Sequence, residues 1–467
     1  MTRQGHSALT VAVVGDGFSG VLLALKLRAA APAARITVIG RQRRIGRGLA
    51  YGAADGGHML NVPISRMDVG LEPSFHDWLR TWHGPDWSVD DFAPRSLFGD
   101  YMGFLADRAV DAGEITRIRG EAVGFKAGST GSVILEDGRS VAADVTVLAL
   151  GNLPPDLPGG LPQSITQSAA FVCDPWAPGA LDDLPYAAPV MLVGSGLTMI
   201  DIALRLVARG HQGKMIAVSR RGLLPRGHQT GGEWPPFLHD HVGSGPLRIA
   251  RLIRDQVRQA TAAGVAWQRV FDAARPAVPA VWSAWTLAER RQFLRRLRPW
   301  WDVHRHRTAP AVTAAMQSLL AEGRLEVTAA RFGAARFVEA TAHIELLCTD
   351  GAKAVEVARV INCTGPGGRF DRTANPLIAH LRDSGQAQID PLGLGFETRS
   401  GAVVMASGEV CDRLYAVGPL TKAAWWEITA APEITIQIDD LVQRLTSATP
   451  LTPSLSASIF MDMGAGI

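Results

Sequence analysis

The stretch VAVVGDGFSGVLLALKL, residues 11–27, decides the fold class of this chain. An apolar run at residues 11–14 enters the turn Gly15-Asp16-Gly17-Phe18-Ser19-Gly20, and a mostly apolar, helix-forming segment follows. In such a turn the first glycine permits the tight bend, the second lets a pyrophosphate approach the backbone, and the third lets helix and strand pack closely. The helix N-terminus then faces the phosphates. A glycine-rich turn alone would be ambiguous, but strand, turn and helix together predict a dinucleotide site.

A second turn, Gly194-Ser195-Gly196-Leu197-Thr198-Met199, follows the apolar run at residues 190–193. Its third glycine is replaced by Met199, but a helical segment and a further strand at residues 215–218 complete the pattern. Arg220 and Arg221 stand at the end of that strand, where acidic residues suit NAD and arginines can hold a 2′-phosphate. We therefore predict NADPH over NADH here, although two surface arginines would give the same sequence. The predicted contacts are Gly194, Ser195, Gly196, Thr198, Arg220 and Arg221.

The strand at residues 35–39 ends where this fold usually presents an acidic residue to a ribose hydroxyl. Gly40 and Arg41 stand there instead. Arg41 could stack on adenine or contact phosphate, or it could be a solvated arginine.

Length and composition limit the possible classes. A chain of 467 residues with 47% hydrophobic content favours two or three domains, and a net charge of +3 gives no case for a nucleic-acid partner. The first strand leaves no room for a signal peptide, and we find no uninterrupted 18-residue apolar span, so we expect no membrane association and a cytoplasmic location. The four cysteines form no Cys-x-x-Cys pair, which argues against a disulfide scaffold or a redox dithiol.

Strand-like runs alternate with helical stretches, which predicts an α/β fold with two Rossmann-like domains. Strands before Gly151 and Gly365 end in small-residue turns, where the chain of a two-dinucleotide flavoprotein passes between domains. We therefore predict a discontinuous first domain (1–185 and 355–447), a second domain (186–354) and a mobile tail (448–467). A helical, Arg/Trp-rich segment at about 246–325 exceeds what a minimal nucleotide domain needs. Its arginines suit a solvated face, a docking surface or an anion funnel.

Four further blocks join the two turns: GRGLAYG (46–52), HMLNVP (58–63), WDVHRHR (301–307) and Gly418-Pro419. Together they resemble the bacterial FAD/NAD(P)-binding family that includes FAD-dependent urate hydroxylases and L-aspartate N-monooxygenases. The resemblance covers residues 11–437 and implies a fold like that of class B flavoprotein monooxygenases. It further implies FAD on the first turn, reduction by NAD(P)H on the second, and oxygen activation as a C4a-hydroperoxyflavin.

The resemblance also implies which residues meet the flavin. Asn61 would offer its amide to the flavin or the hydroperoxide, although an asparagine here could simply form a turn. A helix over residues 425–437 would begin beside the flavin and stabilise negative charge on it. The implied flavin contacts are Leu49, Ala50, Tyr51, Leu60, Asn61, Val62, Gly151, Gly365, Gly418 and Pro419.

The sequence His304-Arg305-His306-Arg307 is the most concentrated polar group of the chain. The interleaved arginines would repel a metal ion, so we predict no metal site. One arginine could face a carboxylate or urate anion while another pairs internally. Asn61, Arg305 and Arg307 are the candidate catalytic residues, and Arg226, His228 and Gln229 are the candidate substrate residues. Structural salt bridges across the domain joint are the alternative for each arginine.

These features predict an FAD-dependent, NAD(P)H-consuming monooxygenase that uses molecular oxygen on a small polar or anionic nitrogen-containing substrate. The motifs do not choose between N-hydroxylation of an amino acid and hydroxylation of a urate-like ring. A flavin reductase or oxidase with another acceptor would share nearly all of these residues. A catalytically silent flavin-binding module, acting through a partner docked on the Arg/Trp-rich segment, is the alternative from another class.

Overall fold

The computed structural model describes residues 8–52, 57–128, 130–229 and 231–447. The tail predicted to be mobile, residues 448–467, lies outside these ranges. Within the described part of the chain, every helix is too short or too polar to span a bilayer.

The strands follow one another along the chain as β1 (Thr10–Val14), β2 (Arg35–Gly40), β3 (Thr116–Arg119), β4 (Ala122–Lys126), β5 (Gly131–Leu135), β6 (Ser140–Ala143), β7 (Val145–Leu148), β8 (Phe171–Val172), β9 (Val190–Val193), β10 (Met215–Ser219), β11 (Leu325–Val338), β12 (Thr341–Cys348), β13 (Gly351–Val357), β14 (Arg359–Asn362), β15 (Thr398–Arg399), β16 (Ala402–Val404) and β17 (Val410–Ala416). The α-helices are α1 (Phe18–Ala30), α2 (Gly48–Gly52), α3 (Phe75–Trp82), α4 (Arg95–Asp111), α5 (Gln163–Thr166), α6 (Leu197–Ala208), α7 (Pro246–Ala262), α8 (Trp267–Ala274), α9 (Val278–Ala284), α10 (Leu287–Gln292), α11 (Arg298–Arg305), α12 (Pro310–Ala321), α13 (Pro376–Asp383) and α14 (Ala431–Thr446).

The first sheet has the order β15-β16-β17-β7-β1-β2-β3, and its five strands from β17 to β3 run parallel. Alternate residues of the central strands face opposite layers because side chains alternate along a strand. Val13 and Val147 pack towards α1, α4 and α14. Ala12 and Leu148 pack towards α13 and the antiparallel β4-β5-β6 meander. Both faces are therefore covered, as a parallel sheet requires.

The second sheet repeats this plan with the order β13-β12-β11-β10-β9-β14-β8. Its strands from β11 to β8 run parallel, and the long β11 turns back into antiparallel β12 and β13. Leu192 faces α6 and α12, whereas Met191 faces β12 and α5. Both predicted Rossmann-like units are therefore present.

The domain boundaries differ from those predicted. β14, assigned by sequence to the first domain, pairs in parallel with β9, and β8, which precedes the predicted start at residue 186, pairs with β14. The second sheet thus draws on residues 171–362. The physical reason is burial: Val360 and Ile361 are fully buried beside β9, so this apolar strand completes the second core.

The chain crosses between the sheets twice, after β7 and after β14, and the two crossings are bonded to each other. Leu153 and Gly367 form an antiparallel bridge. The Gly368 amide donates to Asp156 Oδ2 at 2.9 Å, and the Asn362 side chain donates to the Asp156 carbonyl at 3.0 Å. We call residues 152–156 and 362–368 the crossing ribbon.

The predicted Arg/Trp-rich segment is helical, from α7 to α12, and its tryptophans are mainly core residues. Trp282 is 1% exposed, stacks on Trp426 at 4.8 Å between ring centroids, and donates its indole N–H to the Ala423 carbonyl. The segment therefore packs against the C-terminal part of the first domain. Trp300, 50% exposed, is an exception to this burial.

Candidate active site between the two sheets

In the first glycine turn, neighbouring backbone atoms lie too close for a side chain at two of the glycine positions. Gly15 has φ +122°, and its amide donates to the Ile39 carbonyl at 2.8 Å. A Cβ on Gly15 would lie 2.2 Å from the Ala149 carbonyl oxygen, and one on Gly20 would lie 1.8 Å from the Gly15 carbonyl oxygen. Both positions therefore exclude a side chain. Gly48 lies beside Gly17, with its Cα 3.1 Å from where a Cβ of residue 17 would be.

The N-terminus of α1 is suited to an anion. Gly17 is its N-cap, no side chain caps the helix, and its first turn holds no acidic residue. The first amides of a helix lack partners within it, and the helix dipole favours a negative group there. Gly418 has φ +71° and lies beside this turn, since a Cβ there would be 3.3 Å from Ser19 Oγ. The glycine cradle and open helix end fit the pyrophosphate of a dinucleotide.

Asp16 explains why β2 ends in glycine. A Cβ on Gly40 would lie 2.1 Å from the Asp16 carboxyl carbon, so the buried carboxylate occupies the space next to Gly40. Burial raises the pKa of Asp16, while Arg117 at 3.4 Å and the Gln42 amide at 3.2 Å act to lower it. Arg41 is exposed and pairs with Glu121 at 3.2 Å. Its contact with adenine or phosphate stays a prediction.

The second glycine turn has the same backbone. Gly194 also has φ +122°, its amide donates to the Val218 carbonyl at 2.8 Å, and a Cβ would lie 2.4 Å from the Cys363 carbonyl oxygen. Gly196 caps α6 without a side-chain cap or an acidic first turn. Met199, at the place of the missing glycine, is fully buried in the core beneath.

Near this turn, Ser195 makes structural hydrogen bonds, whereas Arg220 and Arg221 face solvent. Ser195 Oγ lies 2.8 Å from Ser219 Oγ and 2.6 Å from the Leu223 carbonyl, which fixes the end of β10 against the turn. Arg220 and Arg221 are exposed, and neither makes an ion pair with any residue that the structure describes. Their guanidinium groups are thus free to meet a 2′-phosphate.

A cavity of about 1630 Å³ opens between the two sheets. The first domain contributes Asn61 and Pro419, the second contributes Leu197 and His228, and the crossing ribbon contributes Thr364. The cavity brings together the predicted residues Asn61, Val62, His228, Gln229, Arg305, Arg307 and Pro419.

Two of the predicted flavin contacts, Leu60 and Tyr51, pack in the hydrophobic core. Leu60 is 3% exposed in the first core, and Tyr51 packs its ring on Phe18 and Phe98. Burial raises the pKa of Tyr51 to about 12. Outside these core positions, Leu49 and Ala50 are exposed on α2, and Gly151 and Gly365 follow β7 and β14. Arg226 is exposed and does not line the cavity.

The helix predicted over residues 425–437 begins only at Ala431. Pro432 occupies its first turn, where a proline costs no hydrogen bond. Thr429, Ala430 and Pro432 line the cavity, so the N-terminal end of α14 lies at its wall.

A network that the sequence did not reveal holds Asn61. Arg95 donates to Asn61 Oδ1 at 3.3 Å, to the Met59 carbonyl at 2.9 Å and to Asp201 Oδ2 at 2.7 Å. Since Asn61 Oδ1 accepts from Arg95, the amide nitrogen remains as the donor of this side chain. Asp201 lies on α6 of the second domain, 106 positions from Arg95, so no local pattern could have indicated the pair.

His228 makes a second contact across the domains. Its Nε2 lies 2.8 Å from the Asn61 carbonyl, which must accept, so Nε2 carries the proton. Desolvation, followed by the charge of Arg307, lowers the pKa of His228 to about 4. The ring is therefore neutral near pH 7.

Arg305 and Arg307 are both bound to carboxylates, and the Arg305 pairs cross the domain joint as the structural alternative anticipated. Arg305 lies 2.6 Å from Glu427 and 2.9 Å from Glu433, and Arg307 pairs with Asp272. Burial acts to raise the pKa of Glu427, but Arg305 and His306 leave it below its usual value. The pair is charged and holds α11 against the start of α14.

Comparison with known proteins finds similarity at the first glycine turn and in the overall fold. A family model described as FAD-NAD(P)-binding matches residues 12–153, which include the first glycine turn. L-aspartate N-monooxygenase (nitrosuccinate-forming) from Streptomyces davaonensis is 27% identical over 326 residues, covering 54% of this chain and 49% of the relative. The chain thus spans about half the length of this curated relative.

Two solved structures share the whole architecture. The cadaverine monooxygenase of Erwinia amylovora, solved with FAD, is 12% identical with a TM-score of 0.65 over 96% of both chains. The ornithine N-hydroxylase of Kutzneria sp. 744, solved with reduced FAD, NADP⁺ and L-ornithine, is 15% identical with a TM-score of 0.64 over 94% of this chain and 100% of that one. These likenesses confirm the predicted fold, and the family match supports FAD/NAD(P) binding at residues 12–153.

Proposed function

We propose that this protein is an FAD-dependent, NADPH-consuming monooxygenase that hydroxylates the nitrogen of a small amino acid or related amine. The observation that carries the proposal is the shared cavity, because residues next to both dinucleotide turns line one space. Pro419 follows Gly418, which lies beside the first turn, and Leu197 follows Gly196 of the second. Similarity to L-aspartate N-monooxygenase favours a nitrogen over the carbon of a urate-like ring.

The two cofactors would occupy the two glycine turns. Gly15, Gly17 and Gly20, with the open end of α1, would hold the FAD pyrophosphate, and Gly194 and Gly196 with Arg220 and Arg221 would hold NADPH. FAD, when bound, would accept a hydride from NADPH and activate molecular oxygen for transfer to the substrate nitrogen.

Residues of the chain would position the reacting groups. Arg95 fixes the Asn61 carboxamide oxygen, so the amide N–H groups of Asn61 are left as donors at the cavity wall. Neutral His228 donates to the Asn61 carbonyl and holds the same loop from the second domain. Arg305 anchors α11 to Glu427 and Glu433 beside the cavity. Fixed donors favour oxygen transfer, because they orient the reacting groups.

The test is spectroscopic and then chemical. Purified protein should be yellow, and anaerobic NADPH should bleach the flavin. Readmission of oxygen with L-aspartate, L-ornithine, L-lysine, cadaverine or urate should then give a hydroxylated product for one of them, measured by mass spectrometry against NADPH consumed. A Gly17→Asp variant prepared in parallel serves as the flavin-free control.

Three results would contradict the proposal. A colourless wild-type protein that retains no added FAD would remove the flavin. Bleaching followed only by hydrogen peroxide, with every substrate, would favour the oxidase or reductase. Product from urate alone would move the reaction from nitrogen to a ring carbon.

A further inference from the structure

The arginines of the cavity wall are paired with carboxylates, except for Arg66, which is exposed. Asp272 pairs with both Arg269 and Arg307, and Asp302 pairs with Arg298. Arg275 and Arg305 both pair with Glu433, as part of the cluster that includes Glu427. These groups therefore need no further anion.

Lys422 differs from these arginines. It lies at the cavity wall, directly after the 3₁₀ turn Gly418–Thr421, and it is half-buried. It makes no ion pair with any residue of the described ranges; its ammonium instead lies 4.8 Å from the centre of the Trp426 ring. No pattern in the sequence indicated this contact, since a lysine in a turn is usually solvated.

The surroundings of Lys422 favour a negative ligand. The Arg298 guanidinium lies 5.5 Å from the same Trp426 ring, so two cations share one indole. Trp426 is fixed by its stack on Trp282. Burial, followed by the charge of Arg298, lowers the pKa of Lys422 to about 8. The nearby Asp302 and Glu427, which pair with Arg298 and Arg305, offset this only in part.

We propose that Lys422 binds the carboxylate of the amino-acid substrate. The inference rests on the proposed function and deepens it, because it names an amino acid with a carboxylate, rather than a plain amine, as the substrate class. A carboxylate at Lys422 would replace the water lost on burial and would pair the one half-buried cation of the described cavity wall that lacks an anion. The Lys422 amide bonds to the Pro419 carbonyl at 3.3 Å, so this anchor lies one turn from the predicted flavin contact.

Chemical labelling can test this without turnover. The chain has five lysines, at positions 26, 126, 214, 353 and 422. FAD-loaded protein would be exposed briefly to acetic anhydride near the pKa of Lys422, about 8, and each lysine would be quantified by peptide mass spectrometry. Succinate would be the carboxylate probe and succinamide its uncharged match. The exposed Lys126 would be the internal control.

We expect succinate to slow acetylation of Lys422 by about tenfold, with succinamide inactive and Lys126 unaffected, because a charge-assisted hydrogen bond contributes about that factor or more. Equal protection of Lys126, or no protection of Lys422, would overturn the proposal. The flavin itself is the rival ligand. If FAD alone shields Lys422, and succinate adds nothing, Lys422 belongs to the flavin site and the proposal fails.

Substitution supplies a second readout. Lys422→Met keeps the length and removes the charge, and it should raise KM for the amino-acid substrate at least about tenfold with a much smaller change in kcat and in KM for NADPH. Lys422→Arg should restore part of the affinity, and Lys126→Met is the matched control. An equal fall in flavin content and substrate affinity would contradict a carboxylate role. Failure of the proposed function would look different, since the wild-type protein would give no hydroxylated product from any amino acid or amine, whatever the labelling of Lys422 shows.

Discussion

The turns at Gly15 and Gly194 have the same backbone but differ at the third glycine position. Both first glycines have φ +122° and lie against the carbonyl of the residue that follows the next parallel strand, Ala149 or Cys363. Gly20 is excluded from carrying a side chain by the Gly15 carbonyl, whereas Met199 carries one into the core. The helix α6 must therefore lie farther from its turn than α1 does.

The difference teaches which glycines the fold demands and which the cofactor demands. Gly15 and Gly194 are needed for the chain path in both domains. Gly17 and Gly196 cap open helix ends, but a Cβ on Gly196 would meet nothing within 4 Å, so packing does not require glycine there, whereas the predicted ligand would. Whether the third position must be glycine depends only on how closely the helix approaches its turn.

Gly20→Ala should have the largest effect. Its Cβ would meet a backbone oxygen at 1.8 Å, so α1 must move and the first domain should lose about 3 kcal/mol or more, together with its flavin. The matched change in the second turn, Met199→Leu, conserves volume and should cost less than about 1.5 kcal/mol. Urea denaturation and flavin content would measure both. Equal losses would mean that the two helices approach their turns alike.

A carboxylate at the second glycine should separate the two cofactors. Gly17→Asp should abolish FAD retention, because its charge opposes the pyrophosphate at the end of α1. Gly196→Asp should leave the FAD spectrum and thermal stability intact and raise KM for NADPH at least about tenfold. Absorbance and steady-state kinetics provide the measurements. Loss of flavin from the Gly196 variant would assign the turns the other way round.

Arg220→Ala with Arg221→Ala tests the predicted 2′-phosphate site. KM for NADPH should rise about 10- to 100-fold while KM for NADH changes little, since only NADPH carries the group that the arginines would bind. Arg41→Ala, at the matching strand end of the first domain, should leave both constants unchanged. A parallel rise for NADPH and NADH would contradict the assignment.

The smallest effect concerns pH and the contact between the domains. His228 has its pKa lowered from 6.5 to about 4, so the unfolded chain takes up this proton first as the pH falls. The stability that neutral His228 contributes is present above pH 6.5 and is lost between 6.5 and about 4. His228→Gln keeps a donor for the Asn61 carbonyl and should reduce the pH dependence of the urea midpoint in that window. An unchanged slope would show that His228 titrates normally.

Local patterns were enough to predict the two turns and the fold, because glycine spacing and apolar runs are short-range signals. They misplaced β14: its four residues form an equally good strand in either sheet, and only pairing with β9 decides between them. The cavity was predicted in part. Asn61 and His228 do meet, but Arg95, Asp201 and Lys422 were missed because each acts through residues distant in sequence or through the lack of a partner. Arg305 and Arg307 were predicted to be catalytic but are paired with carboxylates. The sequence alone does not show whether an arginine has an ion-pair partner.

The crossing ribbon has a mechanical consequence. Because its two segments are bonded to each other, the crossing ribbon should bend about one axis more readily than it twists. Twisting would break the Leu153–Gly367 bridge and the Asp156 hydrogen bonds. We therefore expect the two domains to open by a hinge rotation about the crossing ribbon, so that the cavity widens at the edge away from the ribbon. After a proteolytic cut in one segment of the crossing ribbon, the other segment would remain as the hinge. The two fragments should therefore stay associated and elute together in size-exclusion chromatography.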